Sequence, residues 1–88
     1  MPETAEDSRI ALIGIIVENP AAAEALNRLL HEYRDYVVGR MGIPYPKQGV
    51  SIISVVLDAP QTAVSALAGR LGGLDGVSVK TVYSKNRK

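Results

Sequence analysis

The side chains best equipped for chemistry stand close together: His31-Glu32-Tyr33-Arg34-Asp35-Tyr36 is the densest polar run, and Arg40, Tyr45 and Lys47 follow it. On a helix His31 and Asp35 lie four apart on one face, where a carboxylate could orient an imidazole or begin a metal site. One histidine and one carboxylate fall short of the three or four protein ligands that a metal centre ordinarily needs. A surface pair at helical spacing is the plainer expectation. Glu32 and Asp35 are equally poor as an acid/base couple, because neighbouring arginines keep both ionised and nothing desolvates either one. No residue is assigned a catalytic role, and no metal site is expected.

Arg40 is the more promising group. Its planar fork suits a carboxylate or phosphate, it follows a glycine-interrupted apolar stretch, and the loop beyond offers backbone N–H groups. Tyr33, Tyr36 and Tyr45 could frame a ligand with flat amphipathic walls, and only Tyr83 lies outside this segment. The candidate ligand-binding residues are therefore His31, Tyr33, Arg40 and Tyr45, and the ligand expected is a small anion. The competing expectation is that Arg40 pairs across a subunit interface with Glu32 or Asp35 while the tyrosines cap the edges of the core.

Several classes of function are excluded or left with little support. The chain has no cysteine, which rules out disulfides, thiolate metal sites and cysteine nucleophiles within it. Gly39, Gly42 and Gly49 form no phosphate loop, since no Gly-Lys-Ser/Thr ending follows them, and no cofactor is implied. Direct DNA binding is weakly supported: the most apolar strands carry no aromatic residue for base stacking, and no helix-turn-helix is evident. Lys85-Asn86-Arg87-Lys88 is basic, but a solvated, frayed end explains it well. The formal net charge is only +1.

These groups must be held by few elements, because 88 residues suffice for one domain with one core. Arg9 to Val17 is an almost unbroken β-branched and aliphatic run, the pattern of a strand covered on both faces. Asn19 is placed to cap a helix whose first residue is Pro20, and Ala22, Leu26, Leu29, Leu30 and Tyr33 recur at helical spacing. Tyr36 to Met41 reads as a short second strand, and the two prolines and two glycines of Gly42 to Gly49 as an irregular hairpin loop. Val50 to Asp58 is a third strand. Ala59-Pro60 restarts a helix with Val64, Leu67, Ala68 and Leu71 as its stripe, ended by Gly72-Gly73, and Val77 to Tyr83 alternates as a fourth strand.

The order is βαββαβ, an α+β ferredoxin-like sandwich with a four-stranded antiparallel sheet and two helices on one face. One domain is expected over 9–85, with flexible termini at 1–8 and 86–88. Two helices cover one side of such a sheet, yet the first and third strands present aliphatic residues to both. A homodimer or homotetramer packed through the sheet face answers this; a foreign protein docked there is the alternative. Neither a basic leader nor an apolar run of roughly 20 residues is present, so no membrane association and a cytoplasmic location are expected.

Taken together, IALIGIIVE, LLHEYRDYVVGRMGIPY, GVSIISVVLDAP and LGGLDGVSVKTVYSK resemble the regulator family of the iron-only hydrogenase system, over about Arg9 to Lys85. That family is similar to the ACT-like C-terminal domain of nickel-responsive repressors. The resemblance implies assembly into dimers and tetramers and a ligand-sensing or transcription-linked role. Those repressors hold nickel with several histidines and a cysteine, so with His31 alone the nickel site does not carry over. Amino-acid-binding ACT domains begin their first helix after an Asp-x-x-Gly-type turn, whereas Glu18-Asn19-Pro20 stands here. The ribbon-helix-helix of the repressors has no counterpart either. A regulatory binding module is the leading expectation, and a scaffold using the bare sheet to hold another protein is the second.

Overall fold

A computed structural model describes residues 8–85; the expected frayed ends at 1–7 and 86–88 lie outside the described residues. Ser8 already opens the first strand. The elements are β1 (Ser8–Val17), α1 (Ala23–Glu32), β2 (Val37–Tyr45), β3 (Val50–Pro60), α2 (Gln61–Gly72) and β4 (Val77–Tyr83). Short 3-10 turns precede α1, at Pro20–Ala22, and β2, at Arg34–Tyr36. The strands form one antiparallel sheet in the order β2-β3-β1-β4. This is the ferredoxin-like α+β fold.

Local chemistry explains the boundaries. Asn19 caps as its sequence position predicts, accepting a hydrogen bond from the Ala21 amide at 3.1 Å, but Pro20 opens a 3-10 turn and the α-helix begins only at Ala23. Ala22, Leu26, Leu29 and Leu30 are buried from the first helical segment, and Val64, Leu67 and Leu71 from α2. They meet Ala11, Ile13, Ile15 and Val17 of β1 and Ile53, Val55, Leu57 and Ala59 of β3 in a single core cluster. Alternate residues of β1, namely Ile10, Leu12 and Ile16, are exposed on the opposite side of the sheet. The unbroken aliphatic run thus has one face in the core and one bare in the single chain.

The second strand corrects the sequence expectation. It does not end at Met41, and Gly42 to Tyr45 is not an irregular loop: pairing with β3 continues through Gly42↔Ile53, Ile43↔Ile52, Pro44↔Ser51 and Tyr45↔Val50. Pro44 is accommodated because β2 is an edge strand with a neighbour on one side only, which leaves room for a residue without an N–H. The hairpin closes over 46–49, where Gly49 takes φ 70° and its amide donates to the Pro46 carbonyl at 3.0 Å.

Candidate functional site

An irregularity in β2 decides where Arg40 points. The register passes from Val37↔Leu57 directly to Gly39↔Val56, so Val38 is an extra residue bulged out of the ladder. Leu57, Val55 and Ile53 are buried under the helices, and their partners on β2 are Val37, Arg40 and Gly42. Without the bulge Arg40 would fall on the other face, because sheet faces alternate every residue. The extra residue turns the guanidinium towards α1.

A groove runs between α1 and β2 because the strand's helix-facing side is poorly filled, with Gly42 offering no side chain and Pro44 only a compact one. One hollow, of about 340 Å³, is lined by Leu26 and Asn27 of α1, Arg40, Pro44 and Tyr45 of β2, and Ile53 of β3 among others. A second, of about 330 Å³, is lined by Asn27, Leu30, His31, Arg34, Val37, Arg40 and Val55. Asn27 and Arg40 border both, and the Arg40 Nη2 donates to Asn27 Oδ1 at 3.2 Å. Arg34 Nη1 donates to the His31 carbonyl at 3.0 Å. Among the described residues no carboxylate lines either hollow and Arg40 forms no ion pair.

Of the four candidate residues, Arg40 stands with Tyr45 around the first hollow and with His31 around the second. Tyr33 belongs elsewhere: it packs against the core as the residue closing α1, and its ring lies 5.8 Å from the Arg70 guanidinium carbon. Arg70 reaches from α2 to grip both carboxylate oxygens of Glu32, at 3.1 and 3.2 Å, and approaches the Tyr33 hydroxyl at 3.4 Å. The Glu32 hydrogen bonds, and secondarily Tyr33, hold the guanidinium above its ordinary pKa. This fork ties α1 to α2 and uses Glu32, one of the two carboxylates, with Asp35, that were alternative partners for Arg40 across a subunit interface.

The helical pairing of His31 with Asp35 also needs correction. Helix α1 ends at Glu32, and Asp35 sits in the following 3-10 turn, so the two residues do not share one helix face. Among the described residues no three of His, Cys, Asp and Glu gather as a metal site would require, and no helix is long and apolar enough to cross a membrane. Asn27 escaped sequence reasoning, and Arg34, though part of the polar run, was not among the candidate ligand-binding residues. Asn27 had no charge to draw notice, although its place three residues before Leu30 puts it at the margin of the buried stripe.

A family model matches residues 9–81: the TM1266-like family, whose description reads "Iron-only hydrogenase system regulator, putative". The uncharacterized protein TM1266 from Thermotoga maritima is 34% identical, with a TM-score of 0.86 over 90% of this chain and 100% of that one. A formyltetrahydrofolate deformylase from Pseudomonas putida KT2440 aligns at 18% identity and a TM-score of 0.60, over 83% of this chain and 28% of that one, a likeness of fold alone. No curated protein matches the chain.

Proposed function

This chain belongs to the TM1266-like family, and from that premise we propose that it is a cytoplasmic regulatory protein that works by binding, as a homo-oligomer that takes a small anionic ligand in the groove beside Arg40. The observation that carries this reading is the state of that side chain. Arg40 is pinned by a neutral acceptor, Asn27, and borders two hollows that no carboxylate lines among the described residues. A guanidinium so placed is oriented but not neutralised, and a carboxylate or phosphate is the group that completes it. The first hollow lies at the lower end of the range that small-molecule sites occupy, roughly 300 to 1,000 Å³. The family's description as a regulator favours binding over turnover. So does the shortage of proton-transfer groups, since neither hollow places a carboxylic acid beside His31.

The open face of the sheet supports assembly. Leu12, Ile16, Ile43 and Ile52 are exposed there together, and a second copy presenting the same face would cover them. Control of transcription would then pass through the oligomer's surface or a partner. The same face supports the second reading, a scaffold that holds another protein without a small ligand.

Thermal denaturation with acetate, benzoate or inorganic phosphate at millimolar concentration tests the ligand site. Binding to the folded state alone adds about 2.7 kcal/mol at a hundredfold excess over Kd. The wild type should gain in Tm with at least one of these anions, and Arg40→Ala should lose that gain. Identical, flat responses of both proteins would overturn the site.

A further inference from the structure

The two hollows differ in kind. Around the first, Val17, Leu26, Pro44, Val50 and Ile53 supply an aliphatic wall, and Arg40 is its one charged residue. Around the second, His31, Arg34 and Arg40 surround a floor of Leu30, Val37 and Val55. Because Asn27 and Arg40 border both, the two hollows adjoin along their hydrogen bond, with an apolar end on one side of it and a cationic end on the other.

Resting on the small-anion reading above, we propose that the groove receives an organic phosphate monoester, with the phosphate among His31, Arg34 and Arg40 and a compact aromatic or branched body against Leu26, Tyr45 and Ile53. Some of the molecule's arginines have their charge already committed and others do not. Arg70 spends its guanidinium on Glu32, and Arg28 stands 3.9 Å from Glu24. Arg34 and Arg40 are held by a backbone carbonyl and a side-chain amide instead, so both are fixed in direction with their charge unmatched. A guanidinium has five N–H donors, and each of these two has one engaged.

Two such forks and an imidazole offer more N–H donors than a monocarboxylate can accept, since its two oxygens carry about four lone-pair sites and a single negative charge. A phosphate monoester brings close to two charges and three acceptor oxygens, which matches the donors around the cationic end. Divalent cations are disfavoured by the same inventory, because every charged group lining the groove is basic. The apolar end then separates an ester from free phosphate, which has nothing to place against Leu26 and Ile53.

Calorimetric titration with phenyl phosphate, benzoate and inorganic phosphate, on the wild type, Arg34→Gln and Arg40→Ala, tests the assignment. Phenyl phosphate should bind the wild type about tenfold more tightly than either benzoate or inorganic phosphate. Arg34→Gln should remove about tenfold of the phenyl phosphate affinity and shift benzoate less than about threefold. Arg34 is exposed in a 3-10 turn; should the glutamine variant fail to fold, Arg34→Lys keeps the charge without the fork and should show the same preference in weaker form. Benzoate binding that depends on Arg40 but is matched by phenyl phosphate, or is equally sensitive to Arg34→Gln, would leave the small-anion site standing and overturn the phosphate. Inorganic phosphate equal to phenyl phosphate would remove the apolar end from the site. Failure of all three probes on the wild type would overturn both readings.

Discussion

Arginine serves this molecule in distinct ways, and the partner decides which. Arg70 closes on Glu32 and steadies two helices. Arg9 lies 5.1 Å over the Tyr83 ring and reaches Gln61 and the Ser84 carbonyl, which fastens the end of β4 beside β1. Arg40 meets an amide, that of Asn27, and among the described residues no carboxylate. Glycine shows the same dependence on surroundings, and here it can be measured. Gly49 and Gly76 both have positive φ, but a Cβ at Gly49 would meet open space, whereas one at Gly76 would lie 2.6 Å from the Asn19 Cβ and 3.2 Å from its amide nitrogen. Gly49→Ala should cost about 1 kcal/mol in urea denaturation, the strain of a left-handed backbone alone. Gly76→Ala should cost at least about 1 kcal/mol more, because the contact also levers the Asn19 cap away from Ala21. Equal losses would mean that the β1–α1 junction yields freely.

At the level of elements, β2 is the unusual piece. Its helix-facing positions after Val37 are an arginine, a glycine and a proline, so the strand contributes little to the core and leaves the groove open. Filling that gap separates stability from binding. A Cβ at Gly42 would meet only Ile53 Cγ1, at 4.0 Å, and valine suits a strand better than glycine. Gly42→Val should therefore keep or raise the urea midpoint while weakening benzoate binding about tenfold or more; unaltered titration would place the ligand elsewhere. The other elements were legible in advance because each rests on local signals: Asn19-Pro20 before a helical stripe, Ala59-Pro60 before another, strict alternation in Val77 to Tyr83. The candidate site was only partly legible. Arg40 borders one hollow with Tyr45 and an adjoining one with His31, but Tyr33 turns to Arg70 because the side of α1 that meets α2 is set by packing between distant segments. The facing of Arg40 depends on one residue left out of register at Val38, and no composition or spacing announces a bulge there.

For the whole molecule, the bare face of the sheet dominates. Cross-strand pairing sets Ile43, Ile52 and Ile16 in one row and Val56, Leu12 and Val82 in another, across three strands each. Burying a large aliphatic side chain contributes roughly 1.5 to 3 kcal/mol, so covering these rows is a strong drive to associate. The wild type should run as a dimer or tetramer at micromolar concentration in size-exclusion chromatography with light scattering, and the Leu12→Asp, Ile52→Asp double variant as a single chain. Its far-ultraviolet circular dichroism should stay native, since neither side chain belongs to the core cluster. A wild type that is already a single chain would remove the oligomer from the account. The edge position of β2 has a last consequence, because this one ribbon carries Arg40, Gly42 and Pro44 on its inner surface and Met41 and Ile43 on its outer one. It is held by hydrogen bonds along one margin only. Under the proposed function, a ligand wedged beneath it on one side would tip the residues on the other, so that occupancy and assembly would be written on opposite pages of the same leaf.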